Sequence, residues 1–388
     1  MNTFIDRDIT STIQEAGQYF PVICLTGPRQ SGKSTLIKHL YGDYLRFSLE
    51  DLDVRSMAQK DPIAFLNQTT SGLVIDEVQQ VPELMSYIQG IVDEHPERRF
   101  ILSGSSNFLL MKKVSQSLAG RVGIFELLPM SMNETSDLPG NDSIDQLLYK
   151  GLYPAVCAEK NVPRFLYPSY VKTYLEKDVR ELINVRDMAQ FHTFLRLCAG
   201  RIGSVLNASE LANETGVAVN TIIAWLSVLE ASYIIFRLQP WSENTRKRLI
   251  KSPKLYFCDT GLACHLLDIE SPEQLARDKM RGHLFENLII MEVLKHRLNQ
   301  GKASNLFFYR NAKQQEIDLL LYEHGTLKGI EIKSSMTYNT SFEQTLQRAA
   351  SLISTPLSKK AVIYTGNLEN TNCDIQLLNY RHLNRFLQ

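Results

Sequence analysis

Short, unbroken apolar runs mark the first part of the chain, each ending in small or acidic residues. Val22-Ile23-Cys24-Leu25 has no polar alternate, so it predicts a strand buried on both faces. A glycine-rich segment follows, and Thr35-Leu36-Ile37-Lys38-His39-Leu40 then predicts a helix. Leu73-Val74-Ile75 predicts a second buried strand, closing on Asp76-Glu77, and Phe100-Ile101-Leu102 a third, running into Ser103-Gly104. Buried strands alternating with helices predict an α/β fold around a parallel sheet with flanking helices.

The pattern then changes. Ser131 to Asp145 is rich in Asn, Ser, Asp, Pro and Gly and reads as a linker or long loop. Tyr170 to Ile183 predicts a helix with Tyr170, Tyr174, Leu175 and Leu182 near one face; Arg180 reads as an exposed helix residue or a phosphate contact. Asn207 to Leu229 predicts two short helices about Gly216. Asn207 and Glu210 have capping-box spacing, and Ile222, Leu226 and Leu229 have helical spacing. Strands are expected over Ile234–Leu238 and Lys254–Phe257, the layout of a winged helix. A helix over Gly282–His296 and two strands, Ile317–Tyr322 and Gly329–Lys333, joined by a turn at His324-Gly325, complete the reading.

At 388 residues the chain exceeds one core, so about two to three domains are expected. Their boundaries are placed at 1–135, 136–190, 191–260 and 261–388, the second being a helical linker region. Apolar residues make up 44% and charged residues 22%, as in an ordinary globular protein. The net charge is zero, so nucleic-acid contact would need a local patch. Asp6 and Asp8 stand where a signal peptide would be apolar, no run approaches a membrane span, and the six cysteines lack paired-ligand spacing. Cys258 and Cys264, close to His265, read as buried apolar thiols rather than part of a zinc site. A cytoplasmic protein without membrane contact is expected.

Between the first strand and its helix lie Gly27, Pro28, Arg29, Gln30, Ser31, Gly32, Lys33 and Ser34, a phosphate-binding loop pattern continued by Thr35. Glycines let consecutive amides approach phosphate oxygens, Lys33 would reach the β- and γ-phosphates, and the Ser34 hydroxyl would join a Mg²⁺ shell. Asp76 would hold Mg²⁺ through water, and Glu77 would orient the attacking water. The expected cofactors are ATP and Mg²⁺. The second carboxylate favours hydrolysis over kinase chemistry. Arg121, in Leu118-Ala119-Gly120-Arg121, reads as a surface cation or as an arginine finger reaching a neighbouring copy in a homo-oligomer.

Two further constellations stand later. Arg237, Arg246, Lys247, Arg248, Lys251 and Lys254 oppose Glu243 alone on the expected wing, where they would track double-stranded DNA. The expected recognition helix, Thr221–Glu230, lacks Lys and Arg and carries Trp225 as an exposed residue, which suits a packing module equally well. In the tail, Asp318, a twelve-residue spacer and Glu331-Ile332-Lys333 match a metal-dependent nuclease pattern. Alternation puts Glu331 and Lys333 on one strand face, and Glu286 is placed as a third carboxylate. Asp318, Glu331 and Glu286 would be the metal ligands, with Lys333 orienting water or stabilising phosphate charge. Paired surface charges are the competing reading.

The succession Gly27–Ser34, Leu73–Glu77, Ile101–Asn107 and Ala119-Gly120-Arg121-Val122 resembles AAA-type ATPases with a carboxy-terminal domain of unknown function numbered 4143. The resemblance runs from about Tyr19 to Ser335. It implies a phosphate-loop NTPase core and, beyond the winged-helix module read from the pattern, a restriction-endonuclease-like α/β domain on whose motif Glu286, Asp318, Glu331 and Lys333 fall, with Glu316 nearby. It implies γ-phosphate sensing by Ser105, Ser106 or Asn107, and a finger role for Arg121. The family's Gly-Gly-aromatic-Pro-Glu turn survives only in part, as Gly151-Leu152-Tyr153-Pro154-Ala155. The leading expectation is an ATPase controlling a DNA-binding, nuclease-bearing half; the alternative is a non-nucleolytic, ATP-dependent switch that binds a partner.

Overall fold

The computed structural model describes residues 4–104, 117–138, 143–175, 187–243, 252–311 and 313–388. The chain divides into two compact units. The first comprises Met1–Glu134, Ala231–Tyr233 and His296–Lys302, and the second Thr135–Glu230, Ile234–Lys295 and Ala303–Gln388.

In the first unit β1 (Val22–Thr26), β2 (Leu45–Ser48), β3 (Gly72–Asp76), β4 (Arg99–Gly104) and β5 (Val122–Glu126) form a sheet ordered β2-β3-β4-β1-β5. Every pairing is parallel. The apolar runs are unbroken because both faces are covered. Val22 and Cys24 pack with Leu84, Ile88 and Val92 of the helix Leu84–Glu94. Ile23 and Leu25 face the other way, against Ile13, Leu36 and Ile37 of the helices Thr10–Tyr19 and Lys33–Leu40. β4 stands between β1 and β3, so the ends of three strands, at Thr26, Asp76 and Gly104, open on one edge where ligands of parallel sheets bind.

The second unit is built on a seven-stranded mixed sheet. Its strands are β6 (Ile235–Pro240), β7 (Lys254–Phe257), β8 (Leu306–Arg310), β9 (Glu316–Glu323), β10 (Thr326–Lys333), β11 (Leu357–Tyr364) and β12 (Ile375–Asn379), ordered β12-β11-β10-β9-β8-β6-β7. β9 and β10 form the expected antiparallel hairpin through His324 and Gly325. Trp241, Ile317, Leu320, Leu346 and Val362 are among the residues packing its core.

The expected helix pair is present as Ala208–Thr215 and Val219–Ala231. Asn207 caps the first through the amides of Ser209 and Glu210, but no reciprocal box forms because Glu210 pairs with Arg201. The β6–β7 hairpin follows, yet it forms one margin of the seven-stranded sheet, through β6 and β8. Trp225 corrects the reading of an exposed residue. It is 4% exposed and lies edge-on to Phe191 and tilted on Phe194. The helix Met188–Ala199 covers that face, and no local spacing announces a helix arriving from earlier in the chain.

The loop expected over Ser131–Asp145 is shorter than its composition suggested, because Ser143 and Gln146 make a reciprocal capping box that starts a helix at Ile144. The helix expected from Tyr170 begins earlier, at Pro163, with Val171–Leu175 as a wider turn; Arg180 and Leu182 lie outside the described residues. The partly kept Gly151-Leu152-Tyr153-Pro154 turn is a clasp. The Leu152 amide donates to Asp259 at 2.7 Å, and the Tyr167 hydroxyl lies 2.8 Å from both Asp259 and the Lys150 carbonyl. Gly151 has φ 68°, and a Cβ there would lie 2.2 Å from the Tyr167 hydroxyl, so only glycine fits.

All six cysteines are free thiols, and all but Cys373 are buried. Among the described residues no helix is long and apolar enough to cross a membrane.

Candidate functional site

The loop Gly27–Ser34 leaves β1 and enters the helix Lys33–Leu40, whose first-turn amides have no partners within the helix. Gly27 has φ 146°, and a Cβ would lie 2.2 Å from the Leu127 carbonyl oxygen; the loop starts in contact with the segment leaving β5. Lys33 is 6% exposed, and its ammonium donates to the carbonyls of Gly27 and Pro28 at 2.9 and 2.8 Å. The Ser34 hydroxyl donates to Asp76 Oδ2 at 2.7 Å. The two residues expected to share Mg²⁺ are therefore adjacent in space. Pro28, Arg29, Gln30, Ser31 and Gly32 complete the loop, with Arg29 3.5 Å from Glu50, and Thr35 follows on the helix.

Glu77 sits directly after β3 in a left-handed conformation, φ 53°, which non-glycine residues seldom adopt. Its carboxylate accepts from the Gln79 side-chain amide. Two contacts escaped the sequence reading. The Ser103 hydroxyl, at the end of β4, donates to Asp76 Oδ1 at 2.5 Å; only the strand order places it beside β3. Arg7 donates to the carbonyls of Ser31 and Leu128. No motif flags an arginine so far upstream of the loop.

Ser105, Ser106 and Asn107 lie outside the described residues. Arg121 pairs with Asp93 of the same unit at two points, 2.5 and 2.8 Å, and both side chains are solvent-accessible. The pair holds Asp93 below the usual carboxylate range, chiefly through the hydrogen bond.

The second unit gathers an acidic cluster. Asp318 on β9 and Glu331 and Lys333 on β10 come together as the alternation implied. The Lys333 ammonium is 2.7 Å from Glu331 and 3.9 Å from Asp318, and the Ile332 amide donates to Asp318 at 2.8 Å. Glu286, on the helix Arg281–Asn299, instead accepts from Lys254 at 3.2 Å and from the Tyr256 hydroxyl at 2.5 Å. Lys254 also pairs with Glu316. Among the described residues no three His, Cys, Asp or Glu side chains stand close enough to hold a metal ion together. Glu286 is thus not assembled with Asp318 and Glu331 into one donor set as expected, because Lys254 and Tyr256 hold its carboxylate.

Burial, and then the charge of Asp318, push Glu286 up to about 7 and Glu331 up to about 8. Burial opposes the charge on Lys254 and Lys333, but the surrounding carboxylates outweigh it and raise both. Glu331 Oε2 is buried without a hydrogen-bond partner. An orphan carboxylate oxygen beside a second carboxylate is chemically suited to a hard divalent cation, so Asp318 and Glu331 fit one.

The basic wing needs correction at its described ends. Lys254 is 3% exposed inside the acidic cluster, and Arg237 is neutralised by Glu230. A lysine is drawn into that interior because acids from two distant segments, Glu286 on the helix and Glu316 and Asp318 on β9, converge there. Arg246, Lys247, Arg248 and Lys251 lie outside the described residues.

Residues 19–136 match the AAA domain, residues 141–273 the domain of unknown function numbered 8612, and residues 281–383 that numbered 4143. An uncharacterized protein of Mycobacterium tuberculosis is 31% identical over 368 residues, 93% of this chain and 80% of its own. One of Methanocaldococcus jannaschii is 22% identical over 328 residues, 76% of this chain and 71% of its own. Among solved structures, a Walker-type ATPase of Pyrococcus abyssi is similar over 68% of this chain and 96% of its own, at 16% identity and a TM-score of 0.46. RuvB of Thermotoga maritima covers 62% and 91%, at 16% identity and a TM-score of 0.29. The chain belongs to the family of AAA-domain proteins that carry a carboxy-terminal domain of unknown function numbered 4143.

Proposed function

We propose that this protein binds and hydrolyses ATP and that its second unit carries a phosphodiester-cleaving site acting on DNA. The observation that carries the first part is the 2.7 Å pairing of Ser34 with Asp76 beside the buried Lys33. A hydroxyl and a carboxylate in contact at the strand ends are oxygen donors suited to Mg²⁺, which would neutralise charge on the β- and γ-phosphates. Loop amides and Lys33 would bind the triphosphate, and Asp76, steadied by Ser103, would keep Ser34 oriented. Glu77 would orient the attacking water and take its proton. Arg121 would act on a neighbouring copy's nucleotide by exchanging Asp93 for phosphate, an inexpensive exchange for an exposed pair.

In the second unit, Asp318 and Glu331 would hold Mg²⁺, which would supply Lewis acidity at a scissile phosphate. Lys333 would orient water and offset developing negative charge. Purified Lys33→Ala, Glu77→Gln and Asp318→Ala variants test both parts. Loss of ATP turnover in the first two, with ATP binding kept in Glu77→Gln, and loss of Mg²⁺- or Mn²⁺-dependent DNA nicking only in Asp318→Ala are expected. Nicking unchanged in Asp318→Ala removes the nuclease reading.

The engagement of Glu286 by Lys254 and Tyr256, away from a metal donor set, favours a second reading. In it, ATP controls assembly and partner binding without nucleolysis. Absence of nicking by the wild-type protein, with ATP-dependent assembly in mass photometry, selects it.

A further inference from the structure

Arg7 is a long, always-charged side chain with only 7% of its surface exposed, in a part of the chain that no motif covers. Both terminal nitrogens of its guanidinium donate hydrogen bonds, and its charge lies beside a carboxylate. Nη1 donates to the Ser31 carbonyl at 2.7 Å, Nη2 to the Leu128 carbonyl at 2.8 Å, and Nε lies 3.0 Å from Glu134 Oε1. Glu134 is itself anchored, accepting from the Asp8 and Ser131 amides at 2.8 Å each. A rigid base therefore holds the fork, and the fork grips the middle of the phosphate loop.

The consequence follows from peptide geometry. In a planar trans peptide the carbonyl of one residue and the amide of the next point in opposite directions. With the Ser31 oxygen fixed on Arg7, the Gly32 N–H is turned away from Arg7. Gly32 directly precedes the helix that begins at Lys33. Lys33 meanwhile ties the loop's first carbonyls, at Gly27 and Pro28, to the helix start. Arg7 and Lys33 thus fix the two sides of one loop.

We propose that Arg7 is a positioning residue for nucleotide binding: it holds the Ser31–Gly32 peptide so that the Gly32 amide faces the triphosphate before ATP arrives. This rests on the nucleotide reading of the loop. A guanidinium suits the task because its planar fork donates to two carbonyls at once while its charge faces the Glu134 carboxylate, which an ammonium cannot reproduce.

The test uses the whole 388-residue chain and its Arg7→Met/Glu134→Gln double variant, which removes both buried charges together and leaves no unpaired carboxylate to threaten folding. The Kd for a fluorescent ATP analogue with Mg²⁺, the ATP KM and kcat, and the nucleotide-free melting temperature are measured. Kd and KM should rise about tenfold, the loss of one well-made interaction, with kcat within about twofold of wild type. Arg7→Ala should recover part of that affinity in millimolar methylguanidinium, and Arg7→Lys should fall between. A purely structural role would lower the active fraction, cutting apparent kcat while leaving Kd and KM unmoved, and that result overturns the proposal. Failure of the wild-type protein to bind the analogue overturns the nucleotide reading instead.

Discussion

The Lys254 ammonium stands 3.2 Å from a Glu286 carboxylate oxygen and also pairs with Glu316, almost wholly out of contact with solvent. β7 supplies the lysine, the helix Arg281–Asn299 supplies Glu286, and β9 supplies Glu316. A residue whose sequence neighbours are basic is therefore the counter-ion of an acidic interior. Its charge is committed to the protein, and any DNA contact by the intervening segment would not include it.

Lys254→Met should destabilise the second unit by about 3 kcal/mol near pH 8, because it leaves buried carboxylates uncompensated. Urea unfolding followed by circular dichroism checks this. The loss should shrink near pH 5, where the acids can take up protons. A cost that stays the same at both pH values would mean that packing, not charge, is what Lys254 contributes.

Glu286 and Glu331 are raised from about 4.5 to about 7 and about 8. The sign is fixed by linkage: a carboxyl raised in the folded state favours folding fully below its unfolded value, and that contribution is lost as pH rises through the folded value. In chelator-containing buffer, stability should therefore fall between about pH 4.5 and 8. Glu331→Gln removes one titration, so its urea midpoint should gain on that of the wild type as pH rises through this window. Parallel profiles for the two proteins would contradict the assignment.

Trp225→Ala should cost about 3–5 kcal/mol, the usual range for emptying a buried aromatic site, since the indole fills space between Phe191 and Phe194. A base-reading tryptophan would behave oppositely, losing DNA affinity at constant stability. Chemical denaturation together with DNA titration separates the outcomes.

Gly151→Ala places a Cβ 2.2 Å from the Tyr167 hydroxyl and 2.5 Å from Asp259 Oδ1, at a φ of 68°. A destabilisation of at least about 2 kcal/mol is expected from strain and overpacking. Combining it with Tyr167→Phe removes the clashing oxygen, so the double variant should lose less than the sum of the single losses. Simple additivity would show that the clasp does not act as a unit.

Most of the nucleotide half was legible because its signals are local. Val22–Leu25 and Leu73–Ile75 are unbroken apolar runs, and a strand buried on both faces must be; the loop residues are contiguous because one turn of backbone makes the cradle. Asp318, Glu331 and Lys333 were legible for a similar reason, since a hairpin brings nearby residues together and alternation sets their faces. Trp225, Lys254 and Arg7 were misread or overlooked, each because its partners come from remote segments.

Sequence alone determined the alternation of strands and helices, the phosphate loop and the pairing of Asp318 with Glu331, for all of these rest on period and spacing within a few turns of chain. Tertiary structure alone decided that β4 lies between β1 and β3 and so presents Ser103 to Asp76. It also decided that Lys254 neutralises Glu286 rather than facing outward, and that Arg7 holds the Ser31 carbonyl. These are contacts between residues far apart in the chain, and their partners are chosen by burial and charge compensation, which local spacing does not encode.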